Sequence, residues 1–352
     1  MTIGSTRDFI KVARSIALAK IHQCSPTDVA RRLYDNDRDR HVVEILKADV
    51  DSHGTTGTGS ELYSPQRTSA EFVQAVRPLT ILGRLQYRRV PFNTPLPFIS
   101  VGTTFDFVGE RMPISATVPS FGTNLIFAHT KIAGIIVASN TLLEHSQAED
   151  VLRRDMVAGV IEASDRRLLD PDSDDDSGAR PASITNGITA VDASGATDST
   201  DVDAIVAELI NQLVTAGSTL RLAKFVTTNQ VAIAISMLRD NGVKAFPNVK
   251  ATGGELGGLE LLTSASAPAN QLTLVDGDEV LVADDNEAEI ENSRVALIDQ
   301  NTAPEGNTRV SMFQTESTAM RVTRYINWSM RKPFVALATG LDLALPELST
   351  TA

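Results

Sequence analysis

Residues 85–130 read LQYRRVPFNTPLPFISVGTTFDFVGERMPISATVPSFGTNLIFAHT. Pro91, Pro95, Pro97, Pro113 and Pro119 punctuate the stretch, together with Gly102, Gly109 and Gly122. Short strand-like runs at 86–92, 104–108 and 125–129 lie between them. Connections inside compact domains usually span about 4–6 residues, so this is not an ordinary linker. A surface loop should also be polar, yet seven of the twelve phenylalanines lie in or just before it: Phe72, Phe92, Phe98, Phe105, Phe107, Phe121 and Phe127. Two readings are open. The stretch folds as a small β-module of its own, or it projects and buries its rings against another chain. A two-stranded hairpin is barely stable alone, so in the second case the partner contributes to its stability.

Downstream, Lys131–Ser139 reads as a buried strand. Ser146 as cap and Glu149 as its capping-box partner start a helix expected over 147–170. Its acid-first pairs are Glu149–Arg153, Asp150–Arg154 and Glu162–Arg166, its apolar stripe is Val151, Leu152, Met156, Val160 and Ala163, and Pro171 ends it. At about 1.5 Å per residue such a helix is roughly 36 Å long. The acidic run 170–178 fails as an EF-hand loop. The positions that need Gly and Glu hold Asp175 and Pro181 in one register, Ser177 and Ser183 in the other. An exposed acidic loop is the better reading.

Residues 200–312 alternate helices and strands. Helices are expected at 202–216 and 229–239, and strands at 222–227, Leu259–Thr263, 271–275, 279–282 and 294–298. Two closing strands, 319–328 and 333–338, precede a tail expected to fray after Leu345. Upstream, the first 50 residues read as three short helices. Ser5 and Asp8 cap the first, which carries Phe9, Val12, Ala13 and Ile16 on one face and Arg7, Lys11 and Arg14 on another. Ser25-Pro26-Thr27-Asp28 starts the second, and the third spans about 39–49. A Gly/Thr-rich connector at 53–60 and a short amphipathic piece at 69–82 lead into the proline-rich stretch. The fold class is α+β.

At 352 residues and 37.8 kDa the chain has length for about two domains. Its lone cysteine, Cys24, permits no internal disulfide and no Cys-based zinc cluster, which points to a reducing compartment. An apolar leader and an 18-residue apolar span are both lacking, so neither a signal peptide nor a membrane is expected. The net charge of −12 is uneven: residues 1–135 hold 16 Lys/Arg against 12 Asp/Glu, the remainder 16 against 32. The first part tolerates a polyanion and the rest repels one.

Motifs for catalysis are missing. Neither a phosphate-binding GxxxxGK[ST] loop nor a G-x-S-x-G elbow occurs, and Gly253–Gly258 reads as a turn. His22, His41, His53, His129 and His145 lack metal-ligand spacing. One tryptophan and four tyrosines offer little for base stacking. No cofactor and no catalytic residue is expected, and the balance moves from enzyme toward assembly.

The order of these parts resembles the major capsid proteins of tailed bacteriophages with the Hong Kong 97-like (HK97-like) fold, over roughly residues 70–345. Residues 79–85 lead into the aromatic segment, which looks like the family's extended loop. Lys131–Ser139 and 141–148 look like the approach to its spine helix. FVTTNQVAIAISMLR (225–239), Asp240-Asn241-Gly242 and GGLELL (257–262) are similar to the strand, helix and turn of its axial domain, and QTESTAMRVTRYINWSMRKPFVALA (314–338) to its closing strands. The first 50 residues look like the start of the capsid part in chains that carry a ClpP-like protease ahead of the coat protein.

The resemblance implies a segment 1–52 of helices, an arm and linker 53–84, and an extended loop 85–130. A peripheral domain 131–199 with spine helix 147–170 follows, then an axial domain 200–313, return strands 314–345 and a tail 346–352. It implies a virion coat subunit, assembled in the bacterial cytoplasm into hexamers and pentamers of an icosahedral shell. Implied partners are further copies of the chain, a portal, decoration or scaffolding proteins, and packaged double-stranded DNA touched without sequence preference. Arg88, Arg89, Phe98, Phe105, Phe107, Arg111 and Phe121 are the expected contacts between subunits, and Arg7, Lys11 and Arg14 the DNA-facing candidates. The founding member joins subunits covalently through a loop lysine. Residues 86–130 hold no lysine, so a non-covalent shell is expected. The rival readings are an encapsulin-like compartment and a soluble α/β enzyme.

Overall fold

The computed structural model describes residues 6–34, 42–46, 72–74, 76–96, 99–101, 120–121, 127–144, 148–175, 179–299 and 309–343. Two sheets organise them. In the first, Val280–Ser293 and Ser317–Met330 form a long antiparallel hairpin, from Val280 opposite Met330 to Ser293 opposite Ala319, with a break in register between Asp284 and Ala288. Arg88–Arg89 joins one flank in parallel, against Leu281 and Val282, and Lys131–Ser139 joins the other antiparallel. The long helix Ala148–Leu169 covers this sheet through Leu152 and Met156, which meet Ala138, Ala288, Met320 and Val322. Phe72, Val73 and Val76 close the same core, with Ile10, Ala17 and Leu18 of the first helix, Thr6–His22. A second helix, Pro26–Tyr34, and residues 42–46 pack beside it around Val12, Ala30 and Tyr34.

The second sheet has seven strands in the order Val191–Asp192, Val335–Thr339, Gln271–Asp276, Ala223–Thr227, Leu259–Thr263, Gly253–Leu256 and Val249–Lys250. Helix Ser199–Thr215 begins on an Asp198/Asp201 capping box and presses Val202, Val206, Leu209 and Leu213 onto Phe225, Leu272 and Leu274. Helix Asn229–Met237, capped by the Thr228 hydroxyl, adds Val231, Ala232 and Ile235. The Gly253–Gly258 run proves to be a strand ending in a two-residue hairpin turn. Gly257 and Gly258 take φ of +57° and +81°, the left-handed pair that a tight turn between twisted strands requires.

A boundary expected at 313/314 cuts across these sheets. Val280–Ser293, expected in the axial part, belongs to the first sheet, and Val335–Thr339, expected to return to the peripheral part, pairs with Gln271–Asp276. The reason is local. Gln271–Asp276 passes through a single 3-10 turn, Gly277–Glu279, straight into Val280, so one sheet feeds the other. Ile81, Leu85, Leu168, Val226, Leu262, Val280 and Trp328 seal the junction as one apolar cluster.

Lys131–Ser139 forms the expected strand but lies at a sheet edge with most of its residues exposed, Ile135 at 54%. Its apolar composition reads as burial, yet within one chain only Ala138 is buried. The helix spanning 148–169 matches the expected beam and carries the Glu162–Arg166 pair at 2.5 Å. Its expected cap, Ser146, lies outside the described residues.

Candidate functional site

The extended segment leaves the body at Arg88–Arg89 and rejoins it at residues 127–130. Between these limbs Ile99–Val101 and Ser120–Phe121 pair antiparallel, with Ile99 opposite Phe121. No third strand joins that ladder among the described residues. Phe98, Phe105, Phe107 and Arg111 lie outside them, as does the side chain of Phe121.

The root is built from both limbs. Phe127 is buried against Leu281 and Ala283, with Val90, Phe92 and Leu96 packed around it. The Asn93 backbone N–H donates to the Phe127 carbonyl at 2.9 Å, and Val90 N–H donates to the Val282 carbonyl at 2.9 Å. The His129 ring stacks on Phe92 with centroids 4.2 Å apart, its Nδ1 lies 3.0 Å from the Asn93 amide, and Tyr325 meets it edge-on. The Asn327 amide donates to the Ala128 carbonyl at 2.8 Å, and the Thr130 hydroxyl donates to the Ile326 carbonyl. Three of the seven phenylalanines are therefore committed to their own chain: Phe72 and Phe127 are buried and Phe92 half-buried. The aromatic surplus open to a partner is smaller than composition suggests.

Arg88 and Arg89 sit at the outgoing limb and are exposed. Beneath Arg89 lies Asp284, its side chain only 1% exposed. Its Oδ2 accepts from Arg324 Nη2 at 2.9 Å and Arg77 Nη2 at 3.0 Å, with Arg89 Nη2 at 3.6 Å. A buried carboxylate is retained as an anion only when paired this closely. One signal for this site existed in the sequence: Asp284-Asp285-Asn286 interrupts a continuous apolar strand run, VLVA.

The expected DNA-facing residues need correction. Lys11 and Arg14 are buried, not turned to solvent. Arg14 Nε donates to the Leu143 carbonyl at 2.8 Å and Nη2 to the Glu144 carbonyl at 3.3 Å, while Nη1 meets the Tyr34 hydroxyl at 3.2 Å. The guanidinium thus caps the last carbonyls of the short helix Asn140–Glu144 and fastens the first helix to the body. Helical spacing placed these cations on one face; it did not reveal that this face packs inward. The Arg7 side chain lies outside the described residues.

Exposed apolar surface gathers away from the root. Ile135 and Val137 project from the edge strand, beside a groove of about 300 Å³ against the long helix lined by Ile132, Ile136, Met156 and Val160. Val295, Leu297 and Phe313, the last 77% exposed, mark the outer end of the long hairpin. Among the described residues no three His, Cys, Asp or Glu side chains converge to hold a metal, and no helix is long and apolar enough to cross a membrane.

The model of the phage capsid family matches residues 62–334. The capsid polyprotein of Pseudomonas phage PAJU2 is 28% identical over 359 residues, covering 95% of this chain and 54% of that polyprotein. The chain thus spans about half the length of that curated relative. Among solved structures, that from Gordonia phage Cozz aligns with a TM-score of 0.54 at 14% identity, covering 76% of this chain and 87% of the other. That from Mycobacterium phage Adephagia aligns at 0.53 and 17% identity, covering 85% and 99%. The capsid of a native GTA particle aligns at 0.51 and 14% identity, covering 77% and 91%. The α+β architecture is the HK97-like one. Because the family match takes in the root of the extended segment, the long helix and both strands of the long hairpin, the chain belongs to the phage capsid family.

Proposed function

We propose that this chain is the major coat subunit of a tailed phage, self-assembling into hexamers and pentamers of an icosahedral shell around double-stranded DNA without covalent cross-links. Beside family membership, the observation that supports it most is the edge strand Lys131–Ser139. An apolar strand with an exposed edge is a template for another chain, and soluble monomers avoid one. Heterologous contacts of this kind close into rings and then into shells. Weak contacts suffice because each subunit makes many at once.

The bonding chemistry of the loop favours a non-covalent shell. Residues 86–130 hold no lysine, their basic residues being Arg88, Arg89 and Arg111, and guanidinium is a poor nucleophile because it stays protonated. Contact with DNA, in this reading, is weak and driven by charge alone, since Lys11 and Arg14 are occupied inside the subunit and residues 136–352 carry twice as many acids as bases. Boiling intact particles in detergent and running them on a denaturing gel tests the cross-link. A single band at the chain's mass is expected; a ladder of multimers would overturn the non-covalent reading.

A further inference from the structure

The long hairpin breaks register between Asp284 and Ala288, and the break falls where the extended segment leaves and rejoins the body. A bulge bends its strand and re-aims its side chains. Two successive carboxylates here face opposite ways: the Asp284 side chain is 1% exposed and the Asp285 side chain 41%. Asp284 meets the outgoing limb through Arg89 at 3.6 Å. Asp285 meets the returning limb through His129, with Nε2 to Oδ2 at 3.7 Å. The limbs are themselves joined between these points, by the Phe92–His129 stack and the Asn93–His129 contact.

We propose that Asp284 and Asp285 form a two-sided clamp, positioning residues that fix the direction in which the extended segment leaves the body, and that assembly requires this direction. The second half of the proposal rests on the coat-subunit reading. Asp284 suits the role because Arg77 and Arg324 hold it independently of the loop, at 3.0 and 2.9 Å, so it presents Arg89 with a fixed charge. Asp285 and His129 are both partly exposed, so their contact holds the limb without being part of the core. The backbone pairing of Arg88–Arg89 with Leu281 and Val282 sets where the limb lies, and the clamp sets the path beyond it.

The test uses the full chain and spares Asp284, whose loss would leave three arginines facing one another. Arg89→Gln combined with Asp285→Asn removes both limb contacts, and Arg89→Lys keeps the outgoing charge. Hydrogen exchange is followed on the dilute, unassembled chain, and particle yield on the concentrated one. Exchange at 88–96 and 127–130 should quicken by about tenfold in the double variant. Exchange at 271–276 should stay unchanged, Arg89→Lys should behave nearly as wild type, and particle yield should drop severalfold in the double variant. Unchanged exchange at both limbs in a folded double variant would overturn the clamp. Faster exchange with undiminished particle yield would overturn its role in assembly. Should the double variant unfold, Asp285→Asn alone carries the same readouts at the returning limb. If the wild-type chain forms no particles, the coat reading fails, and limb exchange still decides the clamp.

Discussion

Asp165 shows how one buried carboxylate ties the two sheets together. It sits on the long helix, and its oxygens accept from the Ile81 backbone N–H at 2.8 Å and the Ser264 hydroxyl at 2.6 Å. Burial pushes its pKa above the ordinary carboxylate value, while the hydrogen bonds from Ser264 and Ile81 and the nearby Arg84 pull it back. The native state therefore holds this proton more tightly than the unfolded chain. Its contribution to stability is full below the unfolded value and declines as pH rises from about 4 through the native value. Asp165→Asn keeps an acceptor for Ile81 and removes the charge, so that decline should vanish with a stability change within about 1 kcal/mol. Asp165→Ala leaves the Ile81 N–H and Ser264 hydroxyl unpaired and should cost about 2–4 kcal/mol. Denaturant titrations across pH 4–7 check both; identical pH slopes for wild type and Asp165→Asn would contradict the assignment. At this scale the sequence was least legible. Lys11 and Arg14 looked like a basic face because periodicity reports which residues share a side, not which side is covered. Asp284 and Asp285 stood out in the sequence only as the end of the apolar run VLVA, and it is the bulge that sets them facing opposite ways.

Elements were easier to read, with one instructive failure. The long helix, the strand–helix pair around 223–237 and the Leu259–Thr263 strand all form close to where caps, stops and periodicity put them. Lys131–Ser139 was legible as a strand and misread as buried, because apolar composition does not report which strand ends at a sheet edge, where most of its residues are exposed. Its exposed residues give a direct prediction. Ile135→Lys should change subunit stability by no more than about 0.5 kcal/mol. It should still abolish particles, as seen by comparing thermal melts with sedimentation; particles at normal yield would leave the edge without a role. The Gly257-Gly258 hairpin offers a second prediction. A Cβ at Gly257 would lie 2.7 Å from Val206 Cγ1 at a φ of +57°, so Gly257→Ala should destabilise the fold by about 1–3 kcal/mol in urea titrations. Gly258, where a Cβ meets open space, should tolerate the same change better.

For the whole molecule, the order of parts carried the family, while the assignment of strands to sheets did not follow from it. Pairing across distant segments depends on register and on one short turn, Gly277–Glu279, that a linear reading cannot weigh. The result is a body whose two sheets share a sealed junction, and a segment whose root is fastened to that body. Deleting residues 95–120 should leave the circular-dichroism spectrum of the body intact and remove assembly.

In the coat-subunit reading, this body completes its apolar surface only against other copies of itself. Sedimentation velocity of the purified chain over a hundredfold concentration range, with negative-stain images of the fast fraction, tests it most directly. Closed shells, or rings of five and six that grow into them, are the expected result. A single slow boundary at the mass of one chain across the whole range would contradict it.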